Sequence, residues 1–335
     1  MPAPGTNKAP GQRRSTVSPH AKAPKVRKTQ LKKTLTGIQA AAHASAIHHS
    51  SILLSVFAQT FPTVLANKNL ETLLQTVKGH LFDRNYAEAF STAEFLETYV
   101  VRWSPSRALA YRAAFLELDE ALADCFRIEG GMRKEVVCIG GGAGAELVAA
   151  AAAGRFLLPK ETVGGEGKLH VTAIDSADWS GVTKALVGTL NDVYLPRNQY
   201  TADFHHADIL EPDNMALIPE TADLITLLFT TNELYTQSRA GTTRFLLSLA
   251  ARVQKGCLLM VLESAGSYST VQIGDKTFSM GLLLEHTLLG NNGGVDWEIV
   301  VSEDSKWYRL PDGADEAYPL QLENMRYFVR VFRRL

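Results

Sequence analysis

Four glycines within five positions follow a short apolar run of the chain. The run is EVVCI at Glu135–Ile139, and the glycines are Gly140, Gly141, Gly142 and Gly144. Glycine lacks the side chain that would hold a ligand away from the backbone, and the helix predicted after these glycines offers free N–H groups to a carboxylate or a phosphate. A tight turn between a strand and a helix also needs glycine, so the cluster alone does not establish a binding site.

Acids stand at the ends of the next two apolar runs. LHVTAID ends in Asp175, whose carboxylate can accept hydrogen bonds from both hydroxyls of a ribose. ADFHHADIL ends in Asp208 and Ile209, which suit the amino group and the apolar ring face of an adenine. Together with the glycines, and in this order, these residues predict an adenosine-binding pocket. A nicotinamide dinucleotide is the alternative ligand, but the acid follows Gly140 by 35 residues instead of the usual ~20.

Alternating strands and helices after Gly131 would position these residues. Apolar runs of strand length, separated by helix-forming stretches such as AELVAAAAA, predict a mainly parallel sheet covered on both faces. The last two runs, DWEIVVSEDSKWYRLP and NMRYFVRVFRRL, have no helix between them, so we expect them to pair antiparallel. The predicted fold class is α/β, a doubly wound sheet over residues 131–335, in which the strand ends bring the glycines and both acids to one edge.

A helical pattern over residues 37–130 predicts an extension in front of the sheet. Helices are expected over 47–57, 70–81 and 86–103, the last with apolar residues three and four positions apart. We expect Pro105 to end that helix, because the residue before a proline is driven out of the helical conformation. Ser104 or Ser106 would then cap a further helix that stops at Gly130.

The small net charge of −1 hides an uneven distribution of charge along the chain. Residues 1–70 contain ten Lys or Arg residues, and the first acid is Glu71. Residues 1–36 are rich in Pro, Lys and Arg and have little to bury, which predicts a disordered basic tail. Such a tail binds polyanions such as RNA or serves as a nuclear address; a transit peptide and a merely solvated tail are the alternatives.

The composition argues against several classes of protein. The three cysteines are far apart and form no CxxC pair, which disfavours a disulfide framework and a cysteine zinc site and indicates a reducing, intracellular compartment. The sequence contains no strongly apolar run of about 18 residues, so no membrane span is expected. His205 and His206 would point to opposite faces of a strand, and no metal site is predicted.

Five segments of the chain resemble the motif series of class I S-adenosylmethionine-dependent methyltransferases. They are VVCIGGGAGAEL, VTAIDSADW, HHADIL, ADLITLLFTTNELY and CLLMVLES. Within that class the chain is most similar to the fungal large-subunit rRNA uridine-N3 methyltransferases, over about Tyr86 to Leu335. The resemblance implies a seven-stranded sheet. The chain departs from the class at Cys138, where most members have an acid two residues before the first glycine, and Glu146 is the candidate substitute.

The resemblance implies a role for each motif residue. The glycines would face the methionine part of S-adenosylmethionine, and the acids would bind its ribose and adenine. The residues implied to bind the cofactor are Gly140, Gly142, Gly144, Asp175, Asp208, Ile209 and Thr230. The stretch from Thr230 to Tyr235 would hold the acceptor base.

Three residues of that stretch are the catalytic candidates, each with a structural alternative. Glu233 would accept the proton of uridine N3, because the imide lone pair becomes available only when that proton leaves. Asn232 would hold a uracil carbonyl, and Tyr235 or Phe229 would stack on the ring. As alternatives, Glu233 would cap a helix, Asn232 would shape the turn and Tyr235 would lie in the core.

The expected function is therefore methylation of a uridine N3 in large-subunit rRNA during ribosome biogenesis. The expected partner is the rRNA or a pre-ribosomal particle, the expected state is a monomer, and the expected location is the nucleus or nucleolus, with the cytoplasm as the alternative. An inactive methyltransferase-like module that binds RNA or protein is the rival hypothesis. A nicotinamide-dependent oxidoreductase ranks third.

Overall fold

The sheet of this protein contains seven strands in the part of the chain that the structure describes. The computed structural model describes residues 48–128, 131–158, 166–266, 270–273, 275–290 and 295–335. The predicted tail over 1–36 lies outside the described residues, as does the beginning of the predicted helical region. The strands of this sheet are β1 (Arg133–Ile139), β2 (Lys168–Asp175), β3 (Tyr200–His206), β4 (Leu224–Leu228), β5 (Leu258–Ser264), β8 (Trp297–Tyr308) and β9 (Met325–Arg334). Two further strands, β6 (Thr270–Ile273) and β7 (Lys276–Ser279), form a separate hairpin.

The strand order in the sheet is β3-β2-β1-β4-β5-β9-β8. The first five strands are parallel, so their carboxyl ends meet at one edge. Strand β9 is antiparallel to β5, and β8 is antiparallel to β9. The predicted doubly wound, mainly parallel sheet with an antiparallel C-terminal pair is confirmed.

Eleven α-helices surround the sheet within the described ranges. They are α1 (48–60), α2 (Pro62–Leu65), α3 (Leu70–Phe82), α4 (Tyr86–Ala89), α5 (Ala93–Glu117), α6 (Glu120–Asp124), α7 (Ala145–Leu157), α8 (Ser180–Val193), α9 (Thr231–Gln237), α10 (Arg239–Arg252) and α11 (Met280–Leu289). The helices predicted over 47–57 and 70–81 are confirmed to within three residues at each end. Between β5 and β8, where no element was predicted, the structure has the hairpin β6-β7 and helix α11.

The helix break expected at Pro105 is wrong, because α5 continues through this proline as one helix of 25 residues. Proline has no N–H to donate to the carbonyl four residues earlier, which would leave the Val101 oxygen without a partner. The hydroxyl of Tyr318 donates to that oxygen at 2.8 Å. Ser104 and Ser106 do not cap a helix. The Ser104 hydroxyl donates to the Ala143 carbonyl, and the Ser106 hydroxyl accepts from the Glu323 N–H.

The start of this helix also differs from the prediction. Residues 86–103 are not one helix: α4 ends at Ala89, and α5 begins at Ala93. The hydroxyl of Thr92 accepts a hydrogen bond from the N–H of Phe95 at 3.2 Å, which is the geometry of an N-terminal cap. The apolar spacing continues across the break, so periodicity alone could not locate it.

Two hydrophobic cores lie on the two faces of the sheet. Along β1, Val136 and Cys138 belong to one core and Val137 and Ile139 to the other, as the alternation of a strand requires. The helices before β1 pack into the first core, where the rings of Phe115 and Phe126 stack at 4.5 Å. The helical region therefore shares its core with one face of the sheet. In the described part of the chain, no helix combines the length and the hydrophobicity of a membrane span.

Candidate functional site

A cavity of about 560 Å³ opens at the carboxyl edge of the parallel strands. One wall consists of the turns that follow β1 to β4, and it includes six of the predicted site residues. These are Gly140, Asp175, Asp208, Ile209, Thr230 and Glu233. The opposite wall comes from the helices before β1. Its residues are Tyr86, Phe90, Tyr99, Arg107 and Tyr111. We call these two sides the sheet wall and the helical wall.

The turn after β1 requires glycine for two reasons, which are the backbone conformation at Gly140 and the side chain that packs against Gly142. Gly140 has a φ of +73°, a conformation that favours glycine. A Cβ on Gly142 would overlap the indole ring of Trp179, which is buried against it. Gly142 and Gly144 do not line the cavity. Of the three glycines predicted to bind the cofactor, Gly140 faces the cavity, while Gly142 and Gly144 pack against Trp179 and Leu186.

Asp175 connects the end of β2 to the glycine turn. One carboxylate oxygen accepts from the N–H of Gly142 and the other from the N–H of Ala177, each at 3.1 Å. Burial raises the pKa of this carboxyl, and the two backbone hydrogen bonds oppose the shift. The side chain thus holds the turn in place and lines the cavity as well.

The end of β3 places Asp208 and Ile209 together on the sheet wall. The Asp208 carboxylate accepts from the backbone N–H of Leu210 at 2.9 Å and from the side-chain amide of Gln237 on α9. Ile209 is buried and presents an apolar surface beside it. A carboxylate next to an apolar face is the combination predicted for an adenine.

Glu146, in the first turn of α7, is a buried carboxyl that faces the cavity. Its Oε1 atom has no hydrogen-bond partner among the described residues. Burial raises the pKa of Glu146 to about 8. A buried oxygen without a hydrogen-bond partner costs free energy. A polar ligand at this position would donate a hydrogen bond to this oxygen and remove that cost. Cys138, which stands where most class I members have an acid, is fully buried, and burial keeps its pKa well above the ordinary value.

Glu233, in the first turn of α9, is a second acid of the cavity with a raised pKa. Burial and, after it, the charge of Asp175 raise the pKa of Glu233 to about 8, whereas Arg107 acts in the opposite direction. Near neutral pH this carboxyl therefore exists in both its neutral and its ionised form.

Two other candidates from the same stretch take structural positions. The backbone N–H of Asn232 donates to Glu263 at 3.2 Å, and neither residue lines the cavity. Tyr235 is buried in the second core, outside the cavity lining. These placements match the structural alternatives for Asn232 and Tyr235. Glu263, which holds the start of α9 through this hydrogen bond, was not among the candidates from the sequence. Its signal there was an acid at the end of an apolar strand.

Phe229 and Thr230 occupy the turn after β4 that faces the cavity. Phe229 has a φ of +63°, which is rare for a residue with a side chain and marks stored backbone strain. Its ring lies 6.4 Å from that of Tyr111 at an interplanar angle of 27°. The hydroxyl of Thr230 donates to the Ile139 carbonyl at 3.1 Å and joins the ends of β1 and β4.

Arg107 is the central residue of the helical wall. Its guanidinium donates to the hydroxyl of Tyr99 and lies 5.5 Å from the centre of the Phe229 ring. The rings of Phe90 and Trp179 pack around Tyr99 at 5.2 and 5.8 Å. Sequence reasoning missed this wall. The sequence held no distinct signal for it, because the helix also carries Glu94, Arg102 and Arg112 and a solvated position explains one more arginine equally well.

The carboxyl groups of the cavity suit a cationic ligand, because a bound cation favours their ionised form. Its lining contains one guanidinium, from Arg107, and five carboxyl groups. The carboxyl groups are those of Glu146, Asp175, Asp178, Asp208 and Glu233. S-adenosylmethionine carries a sulfonium, an ammonium and a carboxylate, and therefore a net positive charge at neutral pH. The acids, the apolar surface at Ile209 and the unpartnered oxygen of Glu146 all fit this molecule.

The strand order, the glycine turn and the acids at the strand ends define a class I methyltransferase. The family model Methyltransf_34, which describes SAM-dependent methyltransferases, matches residues 57–333. The chain belongs to this family, and its cofactor is S-adenosylmethionine. The 25S rRNA (uridine(2843)-N(3))-methyltransferase of Saccharomyces cerevisiae is 35% identical over 322 residues, which cover 85% of this chain and 87% of the yeast protein.

Solved methyltransferase structures are similar to this chain at greater distance. A SAM-dependent methyltransferase from Methanosarcina mazei is 11% identical with a TM-score of 0.39, and the match covers 60% of this chain and 92% of that one. The N-methyltransferase NodS from Bradyrhizobium japonicum, in complex with S-adenosyl-L-homocysteine, is 13% identical with a TM-score of 0.38, and the match covers 71% and 96%. The assignment of site residues here depends on the chain's own geometry.

Proposed function

We propose that this methyltransferase methylates N3 of a uridine in large-subunit rRNA. The observation that carries the proposal is the 35% identity, over 85% of the chain, to a yeast enzyme named for that reaction. The cavity supports it in two ways. It has an aromatic wall against which a planar base can stack, and an acid with a pKa near the working pH of a cell.

Glu233 is proposed as the acceptor of the N3 proton. S-adenosylmethionine, when bound, supplies an electrophilic methyl carbon on its sulfonium. The cofactor would transfer this methyl group to uracil N3 and leave as S-adenosylhomocysteine, and Glu233 would accept the N3 proton. A base with a pKa of about 8 is well matched to this proton transfer near neutral pH.

Arg107 is proposed to stabilise the uracil as its proton leaves. Loss of the N3 proton spreads negative charge over the two flanking carbonyl oxygens, and a fixed cation nearby lowers the energy of that state. The hydrogen bond to Tyr99 and the ring of Phe229 hold the guanidinium in one position. Phe229 and Tyr111 replace Tyr235 as the rings available to stack on the base.

On the cofactor side, Asp175 is proposed to bind the ribose hydroxyls, and Asp208 with Ile209 the adenine. Glu146 is proposed to accept from the methionine ammonium in place of the acid missing at Cys138. Gly140 would approach the methionine part through its backbone, while Gly142, Gly144, Thr230 and Asn232 shape the turns around it.

A role in ribosome biogenesis follows from the proposed substrate. We infer that the helical region before β1, described over 48–128, completes the catalytic cavity of the domain at 131–335. The basic stretch at 1–36 would add affinity for RNA or address the protein to the nucleus or nucleolus.

The test is methylation of unmodified large-subunit rRNA by the full-length protein. Transcribed rRNA is incubated with isotopically labelled S-adenosylmethionine, digested to nucleosides and analysed by mass spectrometry. We expect labelled 3-methyluridine. A different methylated nucleoside would overturn the uridine N3 assignment. If rRNA and pre-ribosomal particles both stay unlabelled while S-adenosylhomocysteine binds, an inactive binding module replaces the proposal.

The role of Glu233 has its own test, the pH dependence of kcat/KM. Because the ionised carboxylate is the proton acceptor, the rate should rise with pH through about 8. Glu233→Gln should lower the rate and remove this rise, whereas Glu211→Gln, which changes an exposed acid outside the lining, should do neither. A Glu233→Gln enzyme with the wild-type rate and profile would exclude Glu233 as the base.

A further inference from the structure

A second, smaller cavity of about 210 Å³ lies beside the first one. Arg107 and Phe229 line both cavities, so the two adjoin at these side chains. The smaller cavity is formed where α5 meets the strand β9, and its remaining charged lining residues are Arg102, Arg326 and Glu323. Arg102 and Glu323 form an ion pair with each other. Arg107 and Arg326 therefore give this smaller cavity, which we call the groove, an excess of positive charge.

An exposed tryptophan extends the groove along the surface. Trp307, on β8, is 51% exposed, although large aromatic side chains usually bury most of their area. The guanidinium of Arg326 lies 5.9 Å from the centre of the indole, and that of Arg309 lies 4.9 Å from it. Arg326 thus lines the groove and also lies against the exposed indole of Trp307.

These two arginines differ from the other arginines of the C-terminal strand pair. Arg330 is buried and forms ion pairs with Glu285 and Asp304, and Arg333 pairs with Glu298. Arg309 and Arg326 form no ion pair with any residue that the structure describes. Their charges therefore remain available to an anion outside the protein, next to an aromatic ring.

We propose that the groove and Trp307 bind the single-stranded RNA that flanks the target nucleotide. This inference rests on the proposed function. Arginines beside an exposed aromatic ring suit a single-stranded nucleic acid, since the cations contact phosphates and the ring stacks on a base. Because the two cavities adjoin at Arg107 and Phe229, one nucleotide can enter the larger cavity while its neighbour lies in the groove. A duplex does not fit this arrangement, because its bases are already stacked on each other.

The test measures the affinity of the full-length protein for a fluorescein-labelled oligouridylate of about 12 nucleotides, within the usual site sizes. Trp307→Ala should weaken binding about tenfold, the loss typical for one stacked base. Arg309→Gln and Arg326→Gln should each lower the slope of log affinity against log salt by about 0.7, the value for one phosphate contact on a single strand. Arg197→Gln, an exposed arginine before β3 at the opposite end of the strands, is the matched control and should change neither quantity.

The basic N-terminal stretch is present in every variant and would itself add affinity for RNA. Photocrosslinking therefore locates the RNA by a measurement that does not depend on affinity. An oligouridylate with 4-thiouridine should crosslink to the peptides that contain Trp307 or Arg326. Affinities and slopes within twofold of wild type for Trp307→Ala and Arg326→Gln, with crosslinks elsewhere, would overturn the groove. Folding of each variant is checked by the melting temperature and by the affinity for S-adenosylhomocysteine, both expected to equal wild type.

The methylation assay separates this inference from the proposed function. If wild type produces 3-methyluridine and Trp307→Ala leaves KM for rRNA unchanged, the function stands and the groove is wrong. If wild type produces no 3-methyluridine but oligouridylate binding depends on Trp307 and Arg326, the groove stands and the uridine N3 assignment is wrong. A raised KM with an unchanged kcat supports both.

Discussion

The two walls of the large cavity differ in how their residues are held. On the sheet wall, Asp175 and Asp208 each accept from the backbone N–H two residues further along, and Asp175 also accepts from Gly142 in the neighbouring turn. On the helical wall, Arg107 is held by Tyr99, eight residues earlier on the same helix, and by Phe229 in the turn after β4. The acids of the first wall are thus held by backbone groups of the strand-end turns, whereas Arg107 is held by side chains, one of which belongs to a distant element. We expect the first to bind the cofactor and the second to act on the acceptor base.

The largest effect is expected from Gly142→Ala. The added Cβ would overlap the Trp179 ring and displace the turn that Asp175 holds, so affinity for S-adenosylhomocysteine should fall more than a hundredfold, measured by calorimetry. Gly188→Ala on α8, where a Cβ meets open space, is the control and should keep wild-type affinity. Trp179→Leu added to Gly142→Ala should recover part of the binding. Affinity within threefold of wild type for Gly142→Ala would show that the turn tolerates displacement.

Arg107→Gln tests whether the sheet wall binds the cofactor and the helical wall acts on the acceptor base. We expect kcat for rRNA methylation to fall on the order of a hundredfold, as when one fixed electrostatic group is removed, and affinity for S-adenosylhomocysteine to stay within threefold. Arg107→Lys keeps the charge and should retain part of the rate. If cofactor affinity falls together with the rate, the helical wall also binds the cofactor and the proposed division is lost.

Asp175→Ala should weaken the binding of S-adenosylhomocysteine by about tenfold. The change removes the proposed hydrogen bonds to the ribose, whose loss costs about 1–3 kcal/mol when one partner is charged. Titration calorimetry with Asp192→Ala, an exposed acid on α8, as control gives the comparison. An unchanged affinity would place the ribose elsewhere on the sheet wall.

Glu146 should make the stability of the ligand-free protein depend on pH. Its pKa is about 8 in the folded state and about 4.3 in an unfolded chain, so the folded state binds the extra proton between these values. The stabilisation is complete below about pH 4 and is lost as the pH rises through 8. Between pH 6 and 9 the wild-type melting temperature should therefore fall more steeply than that of Glu146→Gln. Parallel curves for the two proteins would mean that Glu146 is ionised throughout.

The smallest effect concerns the helix that carries the helical wall. Tyr318→Phe removes the donor to the Val101 carbonyl that Pro105 leaves free, and should lower the free energy of unfolding by about 1 kcal/mol in denaturant titration. In a Pro105→Ala background the same change should cost less, because the introduced alanine would supply the missing N–H. Equal costs in both backgrounds would show that Tyr318 stabilises α5 through packing instead of this hydrogen bond.

The same contrast explains which predictions from the sequence succeeded. The mainly parallel sheet and the cavity at its carboxyl edge followed from apolar runs and strand-end residues, since these patterns lie within single segments of the chain. Pro105 was misjudged because the partner of the Val101 carbonyl comes from Tyr318, more than 200 residues later. Tyr235 and Phe229 were equal candidates in the sequence. The backbone conformation at Phe229 turns its ring toward the cavity, while Tyr235 lies in the core.

The sequence by itself determined the sheet, the glycine turn and the strand-end acids that line the large cavity. Local periodicity, the conformational freedom of glycine and the meeting of parallel strand ends at one edge are sufficient for this. Only the tertiary structure decided the helical wall and the groove beside it. Arg107 on α5 meets Phe229 in the turn after β4, and Arg326 meets Trp307 where β9 pairs with β8. No local pattern specifies contacts between segments this far apart.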